Sequence, residues 1–276
     1  MSTVVSRAAW YLSSAALVVL FTTLATHAAR ADDSAWAGIR AGLFQDRLIE
    51  SDGEAVKLFA PRRADDAALV PIRMFVAGDL VASARTLTLI VDENPAPVAA
   101  VFRFGEAYRG DSGGDIGDRA IETRVRLENM SNVRAILETE DGRLFEASQF
   151  VAAAGGCTSA SLKDMDEALA GLGKTRLRVG GDATRGDAWS ELVINIRHPN
   201  FSGMQIDTRT NAFAPAHFVE HVDVRIGEAE LVSIESGIAI SEDPHFRLSF
   251  ASRERTGLSL VARDTEGGVF RATGER

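Results

Sequence analysis

Asn132-Val133-Arg134-Ala135-Ile136-Leu137-Glu138-Thr139-Glu140-Asp141-Gly142-Arg143-Leu144-Phe145-Glu146-Ala147-Ser148-Gln149-Phe150-Val151 has the pattern of a strand, a tight turn and a second strand. Two alternating runs, Asn132–Glu138 and Phe145–Val151, flank an Asp-Gly pair. Glycine supplies the positive φ that a tight turn needs, so the pair predicts a β-hairpin. The same pattern recurs upstream. Val70–Val76, Thr86–Val91, Val98–Phe104 and Ile121–Leu127 read as short strands. Ala77-Gly78-Asp79, Asn94-Pro95-Ala96-Pro97 and Gly110 to Asp115 supply the breaks. Phe102 and Phe104 alternate with Arg103, and Val125 and Leu127 with Arg124 and Arg126, which predicts one buried and one wet face. Short strands at this spacing, with little helix between them, predict an antiparallel sandwich.

The hairpin runs directly into Val151-Ala152-Ala153-Ala154-Gly155-Gly156-Cys157-Thr158-Ser159-Ala160-Ser161. Cys157 is the only cysteine of the 276 residues. Its neighbours are small, and Gly155 and Gly156 leave the backbone little restrained. The stretch reads as a flexible arm carrying an exposed thiol. The bland alternative is an inert buried cysteine, the commoner fate of a free thiol. A lone cysteine forms no intramolecular disulfide, so a thiol kept for chemistry or for an intermolecular bond is the sharper reading. The arm holds no cation before Lys163, so nothing local lowers the thiol pKa.

Downstream, Leu162, Met165, Asp166, Leu169 and Leu172 are spaced for a short amphipathic helix closed by Gly173. Gly180-Gly181-Asp182 and Gly186-Asp187 read as loop. A second β-rich segment follows, with strand candidates Leu192–Arg197, Ala216–Ile226, Glu228–Glu235, Phe246–Phe250, Gly257–Arg263 and Val269–Thr273. Gly227 and Gly267-Gly268 mark hairpins. Ahead of the first segment, Trp36, Ile39, Leu43 and Phe44 share a face of one short helix, Ser34–Phe44, capped by Asp33 or Ser34.

Residues 1–31 read as a signal peptide, with an uncleaved membrane anchor, weakened by Ser13, Ser14, Thr22 and Thr23, as the alternative. Arg7 precedes the apolar run Ala8–Leu24, and Ala29-Arg30-Ala31 fits a small-x-small cleavage site. A cleaved signal of this kind sends the protein to the periplasm and leaves no membrane span. Cleavage moves the formal charge from −9 to −11, as 28 basic residues then face 39 acidic ones. So acidic a chain is a poor partner for nucleic acid or anionic lipid and suits a basic protein partner.

His198, His217, His221 and His245 all fall in the second segment. His217 and His221 have a metal-ligand spacing only if helical, and the period here is that of a strand. No metal site and no cofactor are expected. No phosphate loop and no nucleophile–base constellation are present, so an autonomous enzyme is not expected.

Several runs carry a resemblance. In the first segment these are Leu58-Phe59-Ala60-Pro61-Arg62-Arg63-Ala64, Val70-Pro71-Ile72, Asn94-Pro95-Ala96-Pro97-Val98, Glu122-Thr123-Arg124-Val125-Arg126 and Gly155-Gly156-Cys157. In the second they are Ile196-Arg197-His198-Pro199, Gly203-Met204, Pro215-Ala216-His217-Phe218-Val219 and Leu258 to Gly267. In this order they resemble the two subunits of the sulfur-oxidation carrier SoxYZ, fused in one chain. The fused form resembles proteins associated with quinoprotein (PQQ) dehydrogenase systems. The resemblance implies a covalent carrier, not itself an enzyme. Cys157 would hold a sulfur intermediate, of the kind met in thiosulfate oxidation, and pass it between periplasmic redox enzymes, Sox-type or quinoprotein dehydrogenase. Here Cys157 departs from the family pattern. It is followed by Thr158-Ser159 instead of Gly-Gly, and it is internal.

The expectation is therefore an all-β chain of two immunoglobulin-like sandwiches joined by a flexible linker, with a short N-terminal helix. The signal takes 1–31, the SoxY-like sandwich 32–153, the arm and linker 154–187 and the SoxZ-like sandwich 188–276. The alternative is an immunoglobulin-like accessory module of a dehydrogenase complex, without covalent cargo.

Overall fold

The computed structural model describes residues 28–51, 53–110, 117–159, 168–182, 185–207, 210–252 and 255–274. Most of the expected signal peptide, most of the Gly110–Asp115 turn and the start of the Leu162–Leu172 helix lie outside them. The N-terminal helix α1 (Ala28–Phe44) begins before Ser34, so neither Asp33 nor Ser34 is its cap. Trp36 and Phe44 pack within it, ring centroids 6.5 Å apart. Together with residues to Asp46 it forms one unit, and Arg47–Arg276 forms the other.

The second unit is β throughout. The first half supplies β1 (Ile49–Glu50), β2 (Val56–Phe59), β3 (Val70–Val76), β4 (Ala84–Val91), β5 (Val98–Phe104), β6 (Arg119–Val125), β7 (Ser131–Thr139) and β8 (Leu144–Val151). A short helix α2 (Glu106–Arg109) sits between β5 and β6. From the second half come β9 (Thr175–Asp182), β10 (Gly186–Ile196), β11 (Ile206–Asp207), β12 (Ala212–Phe213), β13 (Val219–Ile226), β14 (Ala229–Ser236), β15 (His245–Ala251), β16 (Leu258–Asp264) and β17 (Val269–Thr273). Asp141-Gly142 closes the β7–β8 hairpin with Gly142 at φ +83°, and Gly227 and Gly267 turn their hairpins at φ +55° and +86°.

Among the described residues, nine strands form one large sheet in the order β1-β8-β7-β4-β5-β14-β13-β16-β17, six form a second, β2-β3-β6-β15-β10-β9, and β11 and β12 pair apart from both. Both sheets cross from one half of the chain to the other. β5 pairs β14 from Phe104↔Val232 to Ala100↔Ser236, and β6 pairs β15 at Glu122↔Arg247 and Ile121↔Leu248. The two sandwiches are thus joined edge to edge. Their buried faces share one core, where Phe102 of β5 meets Phe246 of β15 edge-on at 6.0 Å. Pairing the edges satisfies backbone groups that two separate sandwiches would leave open.

β1, β2, β9, β11 and β12 escape the sequence pattern, and β10 begins six residues before the expected Leu192. β9 covers Gly180-Gly181-Asp182, and β10 starts at Gly186, both read as loop. Arg176-Leu177-Arg178-Val179 alternates in and out, and the glycines at the strand ends are ordered by the β9–β10 ladder. β2 is only four residues long. No described helix is long and apolar enough to cross a membrane.

Candidate functional site

The segment after β8 does not hang free. Ala152 N–H donates to Arg62 O at 2.9 Å, and Gly155 turns the chain at φ +80°. Gly155 N–H then donates to Glu128 O and Gly156 N–H to Leu127 O, both at 2.8 Å. At Gly156 a Cβ would stand 2.1 Å from Ala67 O and 2.9 Å from Leu127 O. The glycine is there because backbone crosses backbone, a close approach no side chain permits. The flexible arm expected at Gly155 and Gly156 is, in this structure, a packed turn.

Glu128 closes the seat. Its Oε2 accepts Cys157 N–H at 3.0 Å and Thr158 N–H at 3.2 Å, and its Oε1 accepts the Thr158 hydroxyl at 3.2 Å. From the second half, Ser202 Oγ donates to Cys157 O at 2.6 Å. Cys157 is a free thiol only 1% exposed. Burial, then the Glu128 charge, pushes its pKa up to about 11, against a smaller opposing pull from Arg126. In this seat the group is a protected thiol and a poor nucleophile, because the thiolate is the reactive form.

Arg126 is where the structure corrects the sequence. The alternation Val125, Arg126, Leu127 predicts a wet arginine, but Arg126 is 2% exposed. It lies past the end of β6 and reaches into the second half. Its Nη1 donates to Asn200 O at 2.8 Å and Ile240 O at 2.7 Å. Burial pulls its pKa down to about 10, offset in part by Cys157, Glu242 and Asp66. Asn94 fixes the same backbone, donating to Arg126 O at 2.7 Å and accepting Glu128 N–H at 2.8 Å. A residue of the first half thus tethers the second half beside the thiol. Arg126 lies 31 residues before Cys157 in sequence, which is why no local reading finds it.

The histidines separate. His221 pairs with Asp223 at 2.9 Å, and His245 Nδ1 lies 2.9 Å from Asn195 Oδ1. His198 and His217 come together as buried rings 4.6 Å apart, joined by Asp264. His217 Nε2 lies 2.9 Å from Asp264 Oδ2 and His198 Nε2 lies 3.5 Å from it. The three could offer one ligand atom each to a metal ion. The hydrogen bonds point elsewhere. Asn200 N–H donates to His198 Nδ1 at 3.0 Å, which leaves the proton on Nε2, the atom a metal would need. His217 is hydrogen-bonded to Asp264, while His198 Nε2 is buried beside it without a hydrogen-bond partner. Burial, then His217, pulls the His198 pKa down to about 4. Neither this cluster nor His221 or His245 is hydrogen-bonded to Cys157, whose hydrogen-bond partners among the described residues are Glu128 and Ser202.

Two family models match the chain. Residues 40–157 match the sulfur oxidation protein SoxY, and residues 178–275 match the sulphur oxidation protein SoxZ. Among solved structures, the sulfur carrier protein SoxY from Chlorobium limicola f thiosulfatophilum is similar at 19% identity. That match covers 44% of this chain and 96% of the other, with a TM-score of 0.34. No curated protein matches the chain.

Proposed function

The chain belongs to the SoxY and SoxZ families, fused in one SoxYZ-like polypeptide of the sulfur-oxidation carrier type, and from that premise we propose that Cys157 is its attachment point. The protein holds a sulfur-containing intermediate covalently on the Cys157 sulfur and presents it to partner enzymes. It is not itself the catalyst. One observation carries this reading. The chain's only cysteine is the last residue of the SoxY match, and it is seated where the first half meets the second.

The seat adds a condition. Cargo transfer needs a thiol that a partner's active site can reach, and here the sulfur is buried. The carrier therefore works from two positions of one segment. In the seated position Glu128 and Ser202 hold the backbone and the thiol stays protonated. In the presented position those bonds are open. Gly155 supplies the hinge, since it already sits at positive φ. Activation of the sulfur falls to the partner, because the seat raises the thiol pKa.

We place the protein in the periplasm on the signal-like residues 1–31, with Sox-type or quinoprotein dehydrogenase enzymes as partners. The accessory-module alternative has no observation in its favour beyond burial of the thiol. Intact mass of the mature protein, before and after reduction, tests the proposal. A reducible adduct mapping to Cys157 is the expected result, and its mass names the cargo. Unmodified protein under conditions of active sulfur oxidation, with full function retained in Cys157→Ser, would sink it.

A further inference from the structure

The six-stranded sheet turns one face to the core and one outward. The registers define the outward set. Phe59 pairs Arg73, Arg73 pairs Glu122, Glu122 pairs Arg247, Arg247 pairs Val193, and Val193 pairs Arg178. Lys57, Arg124 and Arg176 share the same parity. Lys57, Arg73, Arg124, Arg176, Arg178 and Arg247 thus share this face with two strand carboxylates, Glu122 and Glu191, and Lys57 is paired from beside the strands by Glu54 at 3.6 Å and Asp118 at 3.8 Å. The carboxylates are already engaged, Glu122 by Arg73 and Arg247, Glu191 by Arg247. Arg176 and Arg178 are exposed and have no carboxylate partner among the described residues. Arg124 donates from Nη2 to a backbone carbonyl, Asp243 O at 3.1 Å, while its Nε is buried without a partner.

The outer face of the other sheet is built differently. There Arg134 is held by Asp92 and Glu146, Arg103 by Glu235 and Arg263 by Asp223. Most of its charges cancel locally, with Arg225 and Arg271 toward its far edge lacking a carboxylate partner among the described residues. In a chain of net charge −9, Arg124, Arg176 and Arg178 form a positive patch on the six-stranded sheet without a carboxylate partner among the described residues.

That face also has a groove of about 670 Å³. Phe59, Pro61 and Pro71 give it an apolar floor, and Arg73, Arg124 and His245 give it polar walls. Phe59 is 58% exposed, its ring edge-on to Phe75. Exposed aromatic and arginine side chains around a pocket are what protein interfaces use as anchors. The groove spans the β6–β15 seam, so an occupant touches both halves.

We propose that this face is a docking surface for an acidic protein segment. Its carboxylates sit on Arg124, Arg176 and Arg178, and one apolar side chain enters the groove at Phe59 and Pro71. Nucleic acid is the wrong occupant. A long polyanion feels the net negative charge of the whole chain, whereas a short acidic segment feels only the local face. The placement has a use. β6 carries Arg124, and the chain running on from it bears Arg126 and Glu128, the residues beside Cys157. A partner seated here stands over the strand that leads to the seat. The charge pattern is independent of what Cys157 carries, so failure of the carrier reading leaves this surface standing.

The test is fluorescence anisotropy of a labelled peptide with glutamate runs around one phenylalanine, titrated with the full mature chain at about 0.01 M salt, where charges act over ~30 Å. The expected outcome is salt-sensitive binding that Arg176→Glu/Arg178→Glu weakens on the order of tenfold. Arg103→Glu/Arg225→Glu, the same charge change on the nine-stranded sheet, should leave it within about threefold. Both variants replace exposed or half-buried strand residues, and an unchanged melting temperature confirms their folding. Arg124→Gln checks the face without reversing charge and is expected to weaken binding as well. No binding, equal loss in both charge-reversed variants, or tighter binding of a DNA strand of equal charge would each overturn the proposal.

Discussion

At Cys157 burial and then one carboxylate set the state of the thiol. Glu128 accepts two backbone N–H groups and a hydroxyl, and its charge raises the thiol pKa. Glu128→Gln removes that charge and weakens charge-assisted bonds that are roughly twice as strong as neutral ones. A loss of about 1.4 kcal/mol would open the seat ~10 times more often. Native-state alkylation of Cys157 by iodoacetamide is expected to accelerate by that order, and an unchanged rate would show that Glu128 does not hold the seat. The pH dependence follows from the same shift. The unfolded thiol ionises near 9.0 and the seated thiol near 11. Seating is then at full strength below pH 9 and is lost as pH rises toward 11. The amide protection factors at residues 155–158, which remove the base-catalysed rise of intrinsic exchange, should fall over that window in the native chain and stay flat in Cys157→Ser. His198 gives the opposite sign. Its ordinary value of 6.5 falls to about 4 in the fold, so its contribution is present above pH 6.5 and lost on acidification toward pH 4. The melting temperature should drop across that range, and His198→Gln should flatten the drop.

At the scale of elements, the Gly155–Ser159 turn and the chain after β6 form a single device. Gly156 crosses Ala67 and Leu127 with no room for a methyl group. Gly156→Ala must push backbone against backbone, at a cost of about 1–3 kcal/mol, in the range of an overpacked core. Both the melting temperature and the protection of Cys157 from alkylation should fall. If the thiol stays protected in that variant, the close approach does not hold the turn. Much of the element pattern was legible beforehand. Asp141-Gly142, Gly227 and Gly267 mark turns because each requires positive φ at a fixed place, a local demand written in residue type. β9 was missed although Arg176-Leu177-Arg178-Val179 alternates, because the glycines that follow read as loop and drew the linker boundary past it. The seat was not legible either, since small residues between two glycines are compatible with a loose arm and with a tight crossing alike.

For the whole β unit, the sheets decide. With both sheets continuous across the two halves and one core beneath them, the unit from Arg47 onward is expected to melt as one cooperative transition, with calorimetric and van't Hoff enthalpies equal. Two resolved transitions would mean the β5–β14 and β6–β15 seams are weak. Arg126→Met tests the seam from within, since it strips the donor from Asn200 O, while Ile240 O keeps the Asn200 Nδ2 donor at 3.2 Å. Each buried acceptor left unpaired costs about 1–3 kcal/mol. A loss of stability under 1 kcal/mol would show that water replaces the guanidinium there.

The sequence by itself determined the all-β character, most strands and their turns, the single thiol and its place at the end of the first β-rich segment. These are local properties: strand period, turn chemistry and the count of one residue type. Only the tertiary structure decided that the two sandwiches share their sheets, that Cys157 is covered, that Arg126 is buried beneath the other half, that two histidines meet on Asp264, and that the six-stranded sheet is basic in an acidic chain. Each of these depends on residues far apart in sequence. What brings them together is strand register, the one quantity that hydrophobic alternation along a single strand does not encode.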